Sequence, residues 1–115
     1  DDALKFLKRE EKRGKTYHGI ILDPPAYGRG PGGERWILDE GINDVLSACT
    51  KILEAKNHFF VLNLYSLGYS PLISNNLVES HFNCRYKTFG ESFLRSQSGI
   101  DLPLGTFVRF KDYED

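Results

Sequence analysis

The chain predicts an α/β fold: parallel strands with helices on the faces and a closing antiparallel hairpin. Three features carry that prediction. "HGIILD" (His18 to Asp23) and "HFFVLNLYS" (His58 to Ser66) are unbroken apolar runs, the pattern of strands buried on both faces of a parallel sheet. Between them Ile42, Val45, Leu46, Cys49, Ile52 and Leu53 recur at helical spacing. Strand, helix and strand joined by right-handed crossovers make such a sheet, and its ligands sit beyond the carboxyl ends of the strands.

Taken in order, residues 2–13 carry apolar side chains at Ala3, Leu4, Phe6 and Leu7 before turning polar, with Asp2 placed to cap a helix and Gly14 to end it. The first strand stops at Asp23, where Pro24 and Pro25 follow. The stretch "AYGRGPGGERW" then reads as the one linker-like segment of the chain. The amphipathic helix begins at Leu38, and "HFFVLNLYS" is the second strand. Ser70 and Pro71 open a third helix that runs through Phe82, a capping hydroxyl followed by proline at the first helical position. Residues 85–95 and 105–110 alternate aromatic or β-branched with polar side chains, and "SQSGIDLP" separates them as a turn. They are the two arms of the closing hairpin.

Composition excludes several classes of protein. At 115 residues the chain holds one domain at most. Its net charge of -1 gives no global field for nucleic acid or an anionic membrane, so a polyanion must be held locally. No apolar run nears the roughly 20 residues of a membrane span, which predicts no membrane partner and a cytoplasmic location. Cys49 and Cys84 have no zinc-spaced partners and read as reduced thiols. His18, His58 and His81 lie far apart, so no metal site is expected. The chain contains no methionine and opens directly on a helix, which reads as a piece of something longer.

Gly28, Gly30 and Gly33 fit the literal spacing of a dinucleotide fingerprint. That reading fails, because the fingerprint needs its first glycine directly after a strand and an acidic residue at the end of the next one. A Ser-His hydrolase lacks a nucleophile elbow. Carbon methylation through a thiolate needs a cysteine at the active edge, where neither cysteine falls. The aspartate and prolines admit two other readings. In one, the stiff exit leaves the Asp23 and Pro24 carbonyls to accept hydrogen bonds from a planar donor, with Tyr27 to cover its face. In the other, Asp-Pro-Pro simply ends a strand and Tyr27 packs on Trp36.

"DDALKFL", "GIILDPPAYGRGPGGERW" and "VLNLYS", in this order, resemble the carboxyl-terminal half of class I S-adenosylmethionine-dependent methyltransferases, especially the bacterial group related to ribosomal-RNA methyltransferases with a D-P-P-x-F/Y-G motif. The likeness extends over nearly all of residues 1–115. It implies a partial Rossmann-like methyltransferase sheet whose last strand is antiparallel and inserted beside the fifth.

The resemblance also implies roles, with S-adenosylmethionine as cofactor. Asp2 corresponds to the acidic residue that contacts the adenine amine and Ala3 to the adjacent amide, while a cap alone also accounts for Asp2. Asp23, Pro24, Pro25 and Tyr27 correspond to the catalytic motif between cofactor and acceptor, Asp23 on the cofactor side as well. Arg29, Asn63, Tyr65 and Ser66, with Tyr27, fall on the acceptor side, and a strand-end turn explains the last three equally. The family's glycine-rich first motif and the acidic residue of its second strand have no counterpart here, so residues 1–115 alone are expected neither to complete the cofactor site nor to be active. Ala26, between Pro25 and the aromatic residue, departs from the amino-methylase pattern.

The partners implied are RNA, foremost ribosomal RNA, and the missing amino-terminal half of the same domain. Without that half an apolar sheet edge is expected to be exposed and to favour a homodimer. The alternative is a non-catalytic module that binds RNA phosphates through Arg29, Arg35, Arg85, Lys87, Arg95, Arg109 and Lys111.

Overall fold

The computed structural model describes residues 2–30, 32–33, 35–65 and 68–114. Ser66, assigned above to the acceptor side, lies outside them. The helices are α1 (Ala3–Lys12), α2 (Leu38–Ile52) and α3 (Pro71–Glu79). The strands are β1 (Gly19–Leu22), β2 (Tyr27–Arg29), β3 (Arg35–Ile37), β4 (Phe59–Leu64), β5 (Tyr86–Arg95) and β6 (Asp101–Lys111).

β1, β4, β6 and β5 lie side by side in that order. β1 and β4 are parallel, with Leu22 opposite Leu62, and the crossover between them is α2. β6 runs antiparallel to β4 and inserts between it and β5, as the resemblance implies. β2 and β3 form a separate antiparallel ribbon.

The core lies on one face of the sheet. Phe60, Leu62 and Leu64 of β4 sit opposite Phe110, Val108 and Thr106 of β6, all six buried. Against them pack Val45, Leu46 and Cys49 from the apolar stripe of α2, Leu7 of α1 and Val78 of α3. The opposite face alternates outward, as the period of two requires. Ile21, Phe59, Arg109 and Lys111 fall there, and Ile21 is 68% exposed. The radius of gyration is 15.3 Å, against ~13 Å for a compact 100-residue domain.

The predicted caps form. The Leu4 and Lys5 amides donate to Oδ1 of Asp2 at 2.9 and 3.2 Å, and Gly14 leaves the helix at φ +69°. Ile73 donates to the Ser70 hydroxyl at 3.2 Å with Pro71 at the head of α3. α2 has no side-chain cap and instead carries Asp39 and Glu40 in its first turn, where carboxylates meet the positive end of the helix dipole.

Four expectations are corrected. β1 is not buried on both faces, because helices cover only one side of the sheet. The third helix ends at Glu79 rather than Phe82, since Phe82 turns inward to set its ring 4.7 Å from Phe60 and 5.2 Å from Phe110. The turn after β5 spans only residues 96–100, where Ser96 donates to the Ile100 carbonyl and Gly99 takes φ +88°. Leu102, Pro103 and Leu104 therefore belong to β6, and Pro103 is accommodated where the ladder shifts at Ser92 and Phe93. The glycine stretch is no linker: it is the β2–β3 ribbon, with Gly33 donating to Gly30 across the turn at 3.0 Å.

Candidate functional site

The diproline exit shapes a cleft of about 520 Å³ at the carboxyl end of β1. Leu22, Asp23, Pro24 and Pro25 form one wall, and Asp2 with Ala3 at the head of α1 forms another. Gly28, Arg29, Arg35 and Trp36 of the ribbon close the third side over Gly41 and Val45 of α2. The sequence-predicted cofactor residues Asp2, Ala3 and Asp23 are thus brought together from positions about twenty apart in the chain.

Trp36 explains why the exit is rigid. Its indole N–H donates to the Pro25 carbonyl at 2.7 Å, and the Leu38 amide donates to Ala26 at 3.0 Å. The ring rests directly on α2, where a Cβ on Gly41 would stand 2.3 Å from Trp36 Cζ3. A glycine inside a helix costs about 1 kcal/mol relative to alanine, and here that cost admits the indole. With Pro25 engaged, the Asp23 and Pro24 carbonyls receive no hydrogen bond among the described residues. The reading in which Tyr27 packs on Trp36 is not what forms: Tyr27 pairs with Ile37, Trp36 with Gly28, and the tyrosine is 55% exposed.

The cleft also holds a matched donor and acceptor at its α1 end. Asp2 uses one carboxylate oxygen as the helix cap, and the other has no hydrogen-bond partner among the described residues. The Ala3 amide, an orphan donor of the first turn, has no partner among the described residues. Together they complement a flat heterocycle that carries an exocyclic amine beside a ring acceptor, such as adenine. The residues present thus fit the nucleoside end of S-adenosylmethionine, which the capping role of Asp2 does not preclude.

Other predicted residues stand apart. Asn63 is half-buried in β4 opposite Phe107, and Tyr65 is exposed just past the strand; neither lines the cleft. Tyr27 also stands outside its wall, next to Gly28, which belongs to it. Tyr69, just ahead of α3, is tied to the head of α2, its hydroxyl donating to Asp39 at 2.8 Å. Burial, with the Asp39 carboxylate, pushes that phenol up to about 12.

Cys49 and Cys84 are both free thiols, and neither lines the cleft. Burial pushes Cys49 up to about 12 and Cys84 to about 11, so neither offers a thiolate at neutral pH. The histidines make local contacts: His18 with the Asn57 carbonyl at 3.1 Å, His58 with that of Glu54 at 2.7 Å, and His81 with Asn43 at 2.9 Å. No metal-binding cluster occurs among the described residues, and no helix of theirs is long and apolar enough to cross a membrane. The literal glycine fingerprint falls in the β2–β3 ribbon rather than at a strand-to-helix turn.

Solved structures place this architecture. The S-adenosylmethionine-dependent methyltransferase from Agrobacterium tumefaciens superposes with a TM-score of 0.86 at 34% identity, over 96% of this chain and 38% of that one. SMU.776, a protein assigned to the methyltransferases and solved with S-adenosylhomocysteine (SAH), gives 0.71 at 18% identity, over 96% of this chain and 30% of that one. A further methyltransferase-assigned structure from Streptococcus mutans gives 0.71 at 16%, over 97% and 30%. No protein-family model and no curated protein matches the chain. The chain therefore carries part of the methyltransferase fold, and it spans about a third of the length of the structures it resembles.

Proposed function

We propose that this chain is the acceptor-side part of an S-adenosylmethionine-dependent methyltransferase domain, with RNA, foremost ribosomal RNA, as the acceptor. The observation that carries the reading is the single cleft in which Asp2 and Ala3 face Asp23, Pro24 and Pro25. The 34% identity to the Agrobacterium tumefaciens methyltransferase supports it.

S-adenosylmethionine, when bound, supplies an electrophilic methyl group. The chain's own residues supply placement. The open oxygen of Asp2 and the Ala3 amide hold the adenine edge, and Leu22 and Pro24 exclude water beside it. The Asp23 and Pro24 carbonyls accept N–H groups of the acceptor and fix its plane, and the Asp23 carboxylate receives the proton it releases. Tyr27, exposed at the lip of the cleft, stacks a base for about 1–3 kcal/mol. Alignment of this kind supplies roughly 7–11 kcal/mol in a displacement reaction, which makes the rigidity imposed by Trp36 functional.

The remainder of the domain pairs with β1 and covers the open face of the sheet. β1 is the edge that such a neighbour extends, and the outward Ile21 is the side chain it buries. The isolated chain is expected to self-associate through that edge. A monodisperse monomer in sedimentation at high concentration contradicts this.

Calorimetry with SAH tests the reading as a whole. Binding that is weakened by Asp2→Ala supports it. Tight RNA binding by a chain that ignores SAH, even when joined to the rest of its domain, favours the non-catalytic module.

A further inference from the structure

The β2–β3 ribbon holds an arrangement that its own stability does not explain. Arg29 and Arg35 are directly opposite one another in the ladder, so their side chains leave the same face. Like charges at such positions repel, and a ribbon of three residues a side has little stability to spare. Among the described residues compensation is slight: the ion pair of the Arg35 guanidinium there is with Glu40, at 3.9 Å, with both side chains more than half exposed. Arg29 has no ion-pair or aromatic partner among the described residues.

Both arginines line the cleft that holds Asp2, Asp23 and Pro24, so the cleft is acidic on one wall and basic at its ribbon rim. The basic residues elsewhere are engaged differently. Arg85 lies over Tyr86 at 5.5 Å, Arg109 over Phe107 at 5.4 Å, and Lys87 pairs with Glu79. An anion between Arg29 and Arg35 removes the repulsion and meets two planar forks suited to bidentate contact with phosphate oxygens.

We propose that Arg29 and Arg35 form a clamp for a backbone phosphate of a single RNA strand, one of whose bases reaches the Asp23 and Pro24 carbonyls. The clamp rests on reading the cleft as the methyl-acceptor site, and it adds where the acceptor's charge is held.

The test uses a fluorescein-labelled single-stranded RNA of about ten nucleotides, a length within the footprint of single-strand binders, followed by anisotropy across a salt series. R29Q/R35Q is compared with R85Q/R109Q, which removes the same charge from the far groove. The clamp predicts at least a tenfold loss of affinity for R29Q/R35Q and a fall of about 0.7 in the slope of log affinity against log salt, the share of the one phosphate that the two arginines neutralise together. R85Q/R109Q should keep the wild-type slope. Trp36, adjacent to Arg35 and the one tryptophan of the chain, should change its emission on binding. Equal losses in both double variants, or none in either, overturn the clamp. So does competition by inorganic phosphate alone at strength equal to the RNA, which marks a site for free phosphate.

SAH calorimetry on R29Q/R35Q separates this proposal from the one it rests on. Unchanged SAH binding with RNA binding lost supports the clamp. Wild-type protein that ignores SAH but shows the arginine-dependent slope sinks the methyl-transfer reading and keeps the phosphate site. If R29Q/R35Q loses both ligands, R29K/R35K decides: a recovered salt slope supports the clamp, and no recovery overturns it.

Discussion

Two hollows of this molecule differ in how their charges are placed. The larger, about 730 Å³, lies along the open face of the sheet between Phe59 and Lys87, and it is bordered by Arg85, Arg109 and Lys111. The smaller, about 520 Å³, is the cleft beyond β1. In the groove, Arg85 and Arg109 lie over rings of neighbouring residues and Lys87 meets a carboxylate, so these charges serve the local surface. In the cleft, the carbonyls of Asp23 and Pro24, the second oxygen of Asp2 and the Ala3 amide have no hydrogen-bond partner among the described residues. Unused polar groups held on stiff backbone distinguish a prepared site from a larger but ordinary hollow.

The largest expected effect is on turnover. On the proposed reading, and in the chain joined to the rest of its domain, Asp23→Ala should lower methyl incorporation into RNA by about a hundredfold or more, the scale of a lost proton acceptor, whereas Arg109→Ala should leave it within a factor of about two. Tritiated-methyl counting reads both, and equal losses erase the distinction.

Next is a pair of glycine substitutions, one for each hollow. Gly41→Ala drives a methyl into Trp36 and should cost about 1–3 kcal/mol with a shift in tryptophan emission. Gly19→Ala meets the Phe59 ring at a similarly short 2.2 Å, but that ring is 38% exposed and can swing outward, so its loss should be smaller. Thermal unfolding decides, and the reverse order contradicts a rigid cleft beside a yielding groove. Asp2→Ala should cost about 1 kcal/mol as a lost cap, while Asp2→Asn should keep the cap and lose only ligand affinity.

The smallest effect concerns the thiols. With the pKa of Cys49 raised to about 12 and that of Cys84 to about 11, the native protein should resist iodoacetamide at neutral pH, and modification should quicken only as pH rises towards those values. Rapid labelling at pH 7, read by mass spectrometry, contradicts their burial.

Much of this architecture was legible in the chain, for identifiable reasons. Asp2, Ser70 and Gly14 act locally, so their capping roles follow from position alone. The α2 stripe is periodic, and every one of its predicted residues from Ile42 to Ile52 is buried. The β1 run misled because unbroken apolarity records what a strand packs against in its complete setting, and in this structure one face of it is open. The ribbon was missed since glycines and a proline mask two three-residue strands, whose pairing depends on Trp36 reaching Pro25 and Gly41. One signal was available: Gly41, an isolated glycine inside a helical pattern, is a mark of close packing. Asn63 and Tyr65 were placed correctly on the sheet edge but not in the cleft, because sequence order fixes the edge and not the side from which a pocket is built.

Amide-resolved NMR during titration with SAH tests the central claim most directly. The account predicts shifts at Asp2, Ala3, Leu4 and Asp23 and at the Trp36 indole N–H, with Tyr86, Lys87 and Arg109 unmoved. Shifts confined to the groove residues, with the cleft silent, contradict it.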